Sequence, residues 1–413
     1  MTLLYDLAVK FYYLAARLMS LSNPKAKKWV EGRKGLLEKL RQEVEKGYPY
    51  IWFHAASLGE FEQGRPIIEA LKREKPDHKI LLTFFSPSGY EIRKNYPEAD
   101  LICYLPLDTK RNARRFLEIV NPVLAVFIKY EYWYHFLTGL KKHSCKVILI
   151  SAVFRSGQIF FKPWGGWYRK LLRCFDHIFV QDEKSVQLLA SHTIHNVTVT
   201  GDTRFDRVAQ IVAETKEIPI AQEFSRDKFT FIFGSTWEKD EDILTHYINS
   251  DKSGSRFIIA PHEIHESHIK NLASKLLVPY ILYSEAGKSD LSSTTVLIIN
   301  NIGMLSSLYR YAQIAYIGGG FGTGIHNILE AAVYGMPVVF GPHYSKFREA
   351  HELINAGGAF PIKSYEDLKL RFEELQDNAD LLASTSNATK NYVKKNLGAT
   401  QIILDNLSQY LGK

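Results

Sequence analysis

The sequence predicts an α/β protein of two doubly wound domains, and three observations carry that expectation. At 413 residues the chain is too long for one average core. From residue 50 onward, short β-rich apolar runs alternate with longer stretches of helical periodicity. Fully apolar runs separated by helices indicate parallel strands covered on both faces. The runs also form two series: 50–54, 79–84, 123–128, 146–151 and 177–180, then 229–234, 256–260, 295–299, 314–317 and 337–340. A seam between about residues 205 and 228 divides them. Hydrophobic content of 46% with 23% charged residues excludes global disorder. The three cysteines, Cys103, Cys145 and Cys174, are scattered and odd in number, which fits a reducing compartment and predicts no disulfide framework.

Taken in chain order, the first element is a helix. Residues 1–46 hold ten Lys and Arg against five acids, so +5 of the formal +8 lies there. "MTLLYDLAVKFYYLAARLMS" lacks the cleavage site of a signal peptide. Wound at ~100° per residue, it places Asp6, Lys10 and Arg17 on one face, with Leu4, Leu7, Phe11, Leu14 and Leu18 opposite. Three charges argue against a bilayer span. An amphipathic helix lying in a membrane interface, followed by the basic "NPKAKKWVEGRKG", is the expectation; a helix packed on the protein's own core is the alternative.

In doubly wound sheets ligands bind beyond the carboxyl ends of the strands, so the segments after each run are the candidate sites. Glu60 closes "HAASLGE" after the first run. It reads either as a general base or as a cap partner of Ser57, although Gly59 and Pro66 disfavour a regular helix beginning there. Glu131 follows the 123–128 run, and Arg204 lies in "VTGDTRFDRV". Alone, either is as readily a surface ion pair. His54 and His326 read as core or cleft-lining histidines.

The densest stretch, "GGGFGTGIHNILEAAVYGMPVV" (318–339), contains no G-x-G-x-x-G and no G-x-x-x-x-G-K. A glycine turn exposing backbone N–H groups beside a helix N-terminus suits a phosphate. Asn327 and Glu330, one helical turn apart, form either a ribose-binding pair or a capping box. "IFFKPWGGWYRKLLR" (159–173) interleaves aromatics with Lys162, Arg169, Lys170 and Arg173, which fits lipid headgroups and acidic phosphates better than nucleic acid, with plain packing as the alternative. No Asp-x-Asp pair or histidine cluster points to a metal.

"WFHAASLGE" (52–60), "TFFSPSGYE" (83–91), "YLPLD" (104–108), "KYEYWY" (129–134), "VTGDTRFDRV" (199–208), "GSTWEKDE" (234–241), "APH" (260–262), "HNILEAA" (326–332) and "GPH" (341–343) stand in that order. Together they resemble the 3-deoxy-D-manno-octulosonic acid (Kdo) transferases of Gram-negative bacteria, which are GT-B glycosyltransferases, over nearly the whole chain. The resemblance implies two Rossmann-like domains facing a central cleft. Residues 1–46 would be a membrane-associating segment, 47–210 an acceptor domain and 229–413 a donor domain, with the last helix crossing back to the first. It implies inverting transfer of Kdo from CMP-Kdo to a lipid A precursor at the cytoplasmic face of the cell inner membrane, with no cofactor, metal or nucleic acid. Glu60 would be the proton acceptor, with Glu131 and Arg204 as transition-state stabilisers. CMP would lie against Pro261 and His262, against Ile302, Gly303 and Met304, and against Asn327, Ile328, Leu329 and Glu330. The sequence departs from the family where His262 replaces an Arg, Arg204 a Lys and Lys346 an Asn, and where "KYEYWY" replaces a Glu-Thr-Glu-Leu-Trp-Pro stretch. The alternatives are another GT-B transferase, an epimerase of the same fold, and a non-catalytic membrane-bound nucleotide-sugar-binding protein.

Overall fold

The computed structural model describes residues 1–287 and 290–411. The chain forms two compact units, Met1–Arg207 together with the C-terminal stretch from Gly398, and Val208–Leu397. Each is built on a parallel sheet of seven strands.

In the first unit the strands are β1 (Tyr50–Ala55), β2 (Lys79–Phe84), β3 (Leu101–Tyr104), β4 (Pro122–Ile128), β5 (Lys146–Ala152), β6 (His177–Val180) and β7 (Val197–Val199). Their order is β3-β2-β1-β4-β5-β6-β7, so the direction of winding reverses between β1 and β4. In the second unit they are β8 (Thr230–Thr236), β9 (Arg256–Pro261), β10 (Tyr280–Leu282), β11 (Val296–Ile298), β12 (Ile314–Ile317), β13 (Val338–Phe340) and β14 (Ala359–Pro361). There the order β10-β11-β9-β8-β12-β13-β14 puts the reversal between β8 and β12. A reversal opens a crevice at the carboxyl edge, because the connecting helices leave to opposite faces.

Every apolar run read as a strand is one, but β3, β7, β10 and β14 were not among the runs read as strands. These four are the edges of the two sheets. Edge strands are short and half-covered: β7 is intermediate throughout, and β10 is exposed at Tyr280. Burial on both faces gives the inner strands longer apolar runs, whereas β3 and β10 are apolar but short and β7 alternates with a threonine.

The Leu58–Glu74 helix corrects one expectation, since it begins at Glu60's own turn and carries Pro66 inside it. Tertiary packing outweighs propensity here: Phe61, Ile67, Ile68 and Leu71 are buried under the sheet. Gly59 falls in the first turn, where the cost is small. Gly64 sits at a close approach, where a Cβ would meet Ile128 Cδ1 at 2.3 Å. The Ala399–Leu411 helix packs beside it through Ile403, Leu404 and Leu407. Asp206 accepts the Gly398 and Thr400 amides at 2.7 and 2.6 Å and so caps that last helix.

The N-terminal helix, Thr2–Met19, buries none of its residues. It rests on the body through Thr2, Tyr5 and Asp6, while Leu3, Leu4, Leu7, Phe11, Leu14 and Leu18 face outward. Its apolar face is therefore not packed on the protein's own core. No helix among the described residues is long and apolar enough to cross a membrane.

Candidate functional site

In the first unit the segments leaving β1, β4 and β7 carry Glu60, Glu131 and Arg204, all at the carboxyl edge, with Glu60 and Glu131 flanking the reversal. Backbone strain marks the same edge. Lys129, just after β4, and Ser151, in β5, have φ of 70° and 55°, a left-handed conformation that costs non-glycine residues of order 1–3 kcal/mol.

Glu131 is buried, with 7% exposure. Its Oε2 accepts from His54 Nε2 at 2.8 Å and from Trp133 Nε1 at 2.6 Å. His54 is fully enclosed at the end of β1, and its Nδ1 lies 2.8 Å from Thr83 Oγ1, which also accepts the Trp52 indole N–H at 2.8 Å. His54 Nε2 faces Glu131, while Nδ1 meets both the Thr83 hydroxyl and the Thr83 carbonyl oxygen, the latter at 3.1 Å. A buried carboxylate fixed by two donors cannot turn away. The reading of His54 as a core histidine matches its burial, but the sequence did not reveal that it orients Glu131.

Glu60 is half-buried in the first turn of its helix and accepts from the Ser57 hydroxyl. Ser57 makes no side-chain cap to the backbone, so the reciprocal capping box does not form. Glu60 also lies near Tyr130, whose hydroxyl is raised above its ordinary value by burial and then, among charges, by Glu60 and Asp182 against the lowering effect of Arg155. Arg204 opens the Arg204–Glu214 helix and forks onto Asp202 Oδ2 through Nε (2.9 Å) and Nη2 (2.7 Å). Burial pushes the Asp202 carboxyl up, but Arg204 and the Gln63 amide outweigh it and leave the group below its usual range. Gln63 Nε2 meets Asp202 Oδ1 at 3.3 Å, and Thr203 Oγ1 donates to the Gln63 carbonyl at 2.5 Å. Glu60's helix is thereby tied to the Arg204 loop.

In the second unit the glycine stretch lies at the reversal, after β12 and beside β8. Its glycines serve close approach more than phosphate exposure. A Cβ on Gly318 would stand 2.2 Å from the Ser235 carbonyl oxygen, and one on Gly320 would stand 2.6 Å from the Gly341 backbone. Several of the N–H groups expected to be open are already used. Gly318 donates to Gly234, Gly319 to the buried Asp240 carboxylate, Gly322 and Gly324 to the Gly319 carbonyl, and His326 to Gly318.

His262 and His326 meet here. Their rings stack at 4.4 Å, Trp237 stacks on His262 at 4.6 Å, and Trp237 Nε1 donates to His326 Nε2 at 2.8 Å. Burial, with His262 beside it, lowers the His326 ring from 6.5 to about 4, so it is neutral and free to accept that bond. The Trp237–His262–His326 stack has no signature in sequence, because its members lie 25 and 64 residues apart on different strand ends.

Asn327 Oδ1 accepts the Leu329 amide at 3.2 Å, and Asn327 Nδ2 donates to Glu330 Oε1 at 3.0 Å. The helix they open is only Leu329–Ala332, and no reciprocal capping box forms. Ile328 and Leu329 are fully buried and offer no exposed surface. Pro261 ends β9, and Ile302, Gly303 and Met304 form an exposed turn beyond β11 with Gly303 at φ 91°. The Pro261, Ile302–Met304 and Asn327–Glu330 segments all leave the carboxyl edge of the second sheet.

Residues 27–207 match the family model described as 3-Deoxy-D-manno-octulosonic-acid transferase (kdotransferase). Over 376 residues the chain is 28% identical to the 3-deoxy-D-manno-octulosonic acid transferase of Rickettsia bellii, covering 88% of this chain and 87% of that one. It is 28% identical over 331 residues to the transferase of the same name from Aquifex aeolicus, covering 79% and 85%. Among solved structures it is similar to the UDP-GlcNAc 2-epimerase of Neisseria meningitidis bound to UDP-GlcNAc, with TM-score 0.60, 18% identity and coverage of 87% and 99%. It is also similar to Acinetobacter baumannii MurG, with TM-score 0.54, 13% identity and coverage of 86% and 98%. At such identities the structural likeness is one of fold, the GT-B arrangement of two parallel-sheet α/β domains.

Proposed function

We propose that this chain, a member of the Kdo transferase family, moves Kdo from CMP-Kdo to a hydroxyl of a lipid A precursor with inversion at the anomeric carbon. The observation that carries the reading is the pair of carboxylates flanking the reversal of the first sheet, Glu60 half-open and Glu131 buried and fixed. Glu60 takes the proton of the acceptor hydroxyl. The acceptor oxygen then bonds to the anomeric carbon of Kdo, the bond from that carbon to the phosphate oxygen breaks, and the electron pair leaves with CMP. Glu131, held by His54 and Trp133, and Arg204, held by Asp202, supply fixed charge for the transition state. In the second unit Asn327 and Glu330 take the ribose hydroxyls, the backbone at Pro261 and Ile302–Met304 lines the nucleotide, and His262 stands where the family carries an Arg. A monophosphate donor calls for no resident metal or cofactor.

The protein works on a membrane surface, the cytoplasmic face of the inner membrane. The outward apolar residues of the N-terminal helix support this, as does the neighbouring strip in which Trp167 stacks on Tyr134 at 4.8 Å and approaches Tyr5 at 5.8 Å. Trp164 in that strip is 72% exposed. An epimerase of the same fold would have no need of such a face.

The donor assignment is tested by CMP titration of Glu330→Ala. Loss of charge-assisted bonds to a ribose diol, each worth about 1.5–3 kcal/mol, lowers affinity at least tenfold while apo stability changes little. A fall in stability with affinity nearly kept would make Glu330 a loop anchor and remove it from the donor site.

A further inference from the structure

The N-terminal helix and the Glu131 segment are joined at consecutive residues. Trp133 donates to Glu131 Oε2 at 2.6 Å. The next two residues hold the N-terminal helix. The Tyr134 hydroxyl accepts from Thr2 Oγ1 at 3.3 Å, the Tyr134 amide donates to the Tyr5 hydroxyl at 3.4 Å, and His135 Nε2 meets Asp6 Oδ1 at 2.5 Å. Tyr5 in turn donates to Asp108, the buried carboxylate that accepts the His135 and Phe136 amides at 3.0 Å and caps the Tyr134–Lys142 helix. A second route reaches Trp133 from its other side. Tyr12 packs on Phe85 at 6.0 Å, Phe85 packs on Trp133 at 4.9 Å, and Arg33 fixes Phe85 by donating Nη2 to its carbonyl at 2.7 Å.

A helix that buries no residue adds little to a core, yet this one makes four specific polar contacts, three to the turn that follows Glu131 and one to Asp108, which caps the helix leaving that turn. Its docking face and its outward apolar face are different, so one helix can hold the turn and meet lipid at once. We propose that the N-terminal helix is a positioning element for Glu131: seated through Tyr5 and Asp6, it locks Trp133 in the orientation that donates to the carboxylate. The inference rests on the role given to Glu131 above, and Tyr5 and Asp6 are positioning residues that touch no substrate.

The test uses full-length Tyr5→Phe/Asp6→Asn, which removes the Tyr5 and Asp6 tethers and keeps the ring and the outward face. The first readout needs no transfer activity. The Trp133 indole N–H, assigned by its absence from Trp133→Phe, exchanges with solvent at least tenfold faster in the double variant than in wild type, because the bond to Glu131 opens more often. The second is turnover with acceptor dispersed in detergent, where membrane attachment does not limit the rate. There kcat falls by about tenfold, as expected for a misplaced catalytic group, while donor KM is unchanged. Adding Trp133→Phe to the double variant lowers kcat little further, since both changes break one chain of contacts. Unchanged indole exchange overturns the proposal, as does faster exchange with kcat intact. A wild-type protein that transfers no Kdo refutes the proposed function instead, and the exchange measurement then decides the coupling alone.

Discussion

Glu60 and Glu131 are the same residue type at the same edge of one sheet, and their surroundings separate their roles. Glu60 has one hydroxyl partner and partial access to solvent; Glu131 is enclosed with two N–H donors. Glu60→Gln therefore lowers turnover by roughly 10²-fold, the scale of a lost general base, with the melting temperature nearly unchanged. Glu131→Gln lowers turnover too, but also destabilises the fold by about 1–3 kcal/mol, because a buried donor is left facing an amide. Turnover and thermal melts on both variants check this, and a Glu60→Gln protein within a few-fold of wild type contradicts the assignment. His326 gives a pH signature. Its ring is held neutral in the folded chain and takes up a proton on unfolding between its ordinary 6.5 and about 4. Stability therefore falls as pH drops through that window, and His326→Gln flattens the dependence. Melts from pH 7 to 4.5 that run parallel for both proteins would contradict it. Both carboxylates were legible in sequence because each follows an apolar strand. Their partners were not: Thr83 and Trp133 reach His54 and Glu131 only through sheet pairing and the turn after β4.

At the level of elements, burial decided what could be read. The inner strands, covered on both faces, announce themselves as apolar runs, whereas the edge strands are only three or four residues long. The Leu58–Glu74 helix was obscured by Gly59 and Pro66, and only its buried Phe61, Ile67 and Ile68 explain why it forms. The N-terminal helix was legible from its periodicity, and the structure leaves Leu7 and Phe11 53% and 73% exposed. Leu7→Ser/Phe11→Ser accordingly leaves the melting temperature unchanged. It weakens binding to anionic vesicles at least tenfold, since each inserted side chain is worth about 1.5–3 kcal/mol. Co-sedimentation with vesicles checks this, and undiminished binding would place the membrane contact elsewhere.

On the scale of the whole molecule, the chain builds the same device twice: a parallel sheet whose winding reverses, with its chemical residues on the segments that leave the reversal. That plan was readable in the two series of apolar runs. The return of the Ala399–Leu411 helix to the first unit was not derivable from periodicity, because it depends on Asp206 capping a segment nearly two hundred residues away. The plan alone does not choose a reaction, since epimerases and transferases share it. The choice rests on Glu60, Glu131 and the outward face of the N-terminal helix. The most direct measurement incubates the full chain with CMP-Kdo and a purified lipid A precursor in detergent and weighs the lipid by mass spectrometry. Kdo transfer through Glu60 gives a lipid heavier by one or more Kdo residues, CMP released only when acceptor is present, and neither product with Glu60→Gln. A lipid of unchanged mass, or equal product from Glu60→Gln, would contradict it.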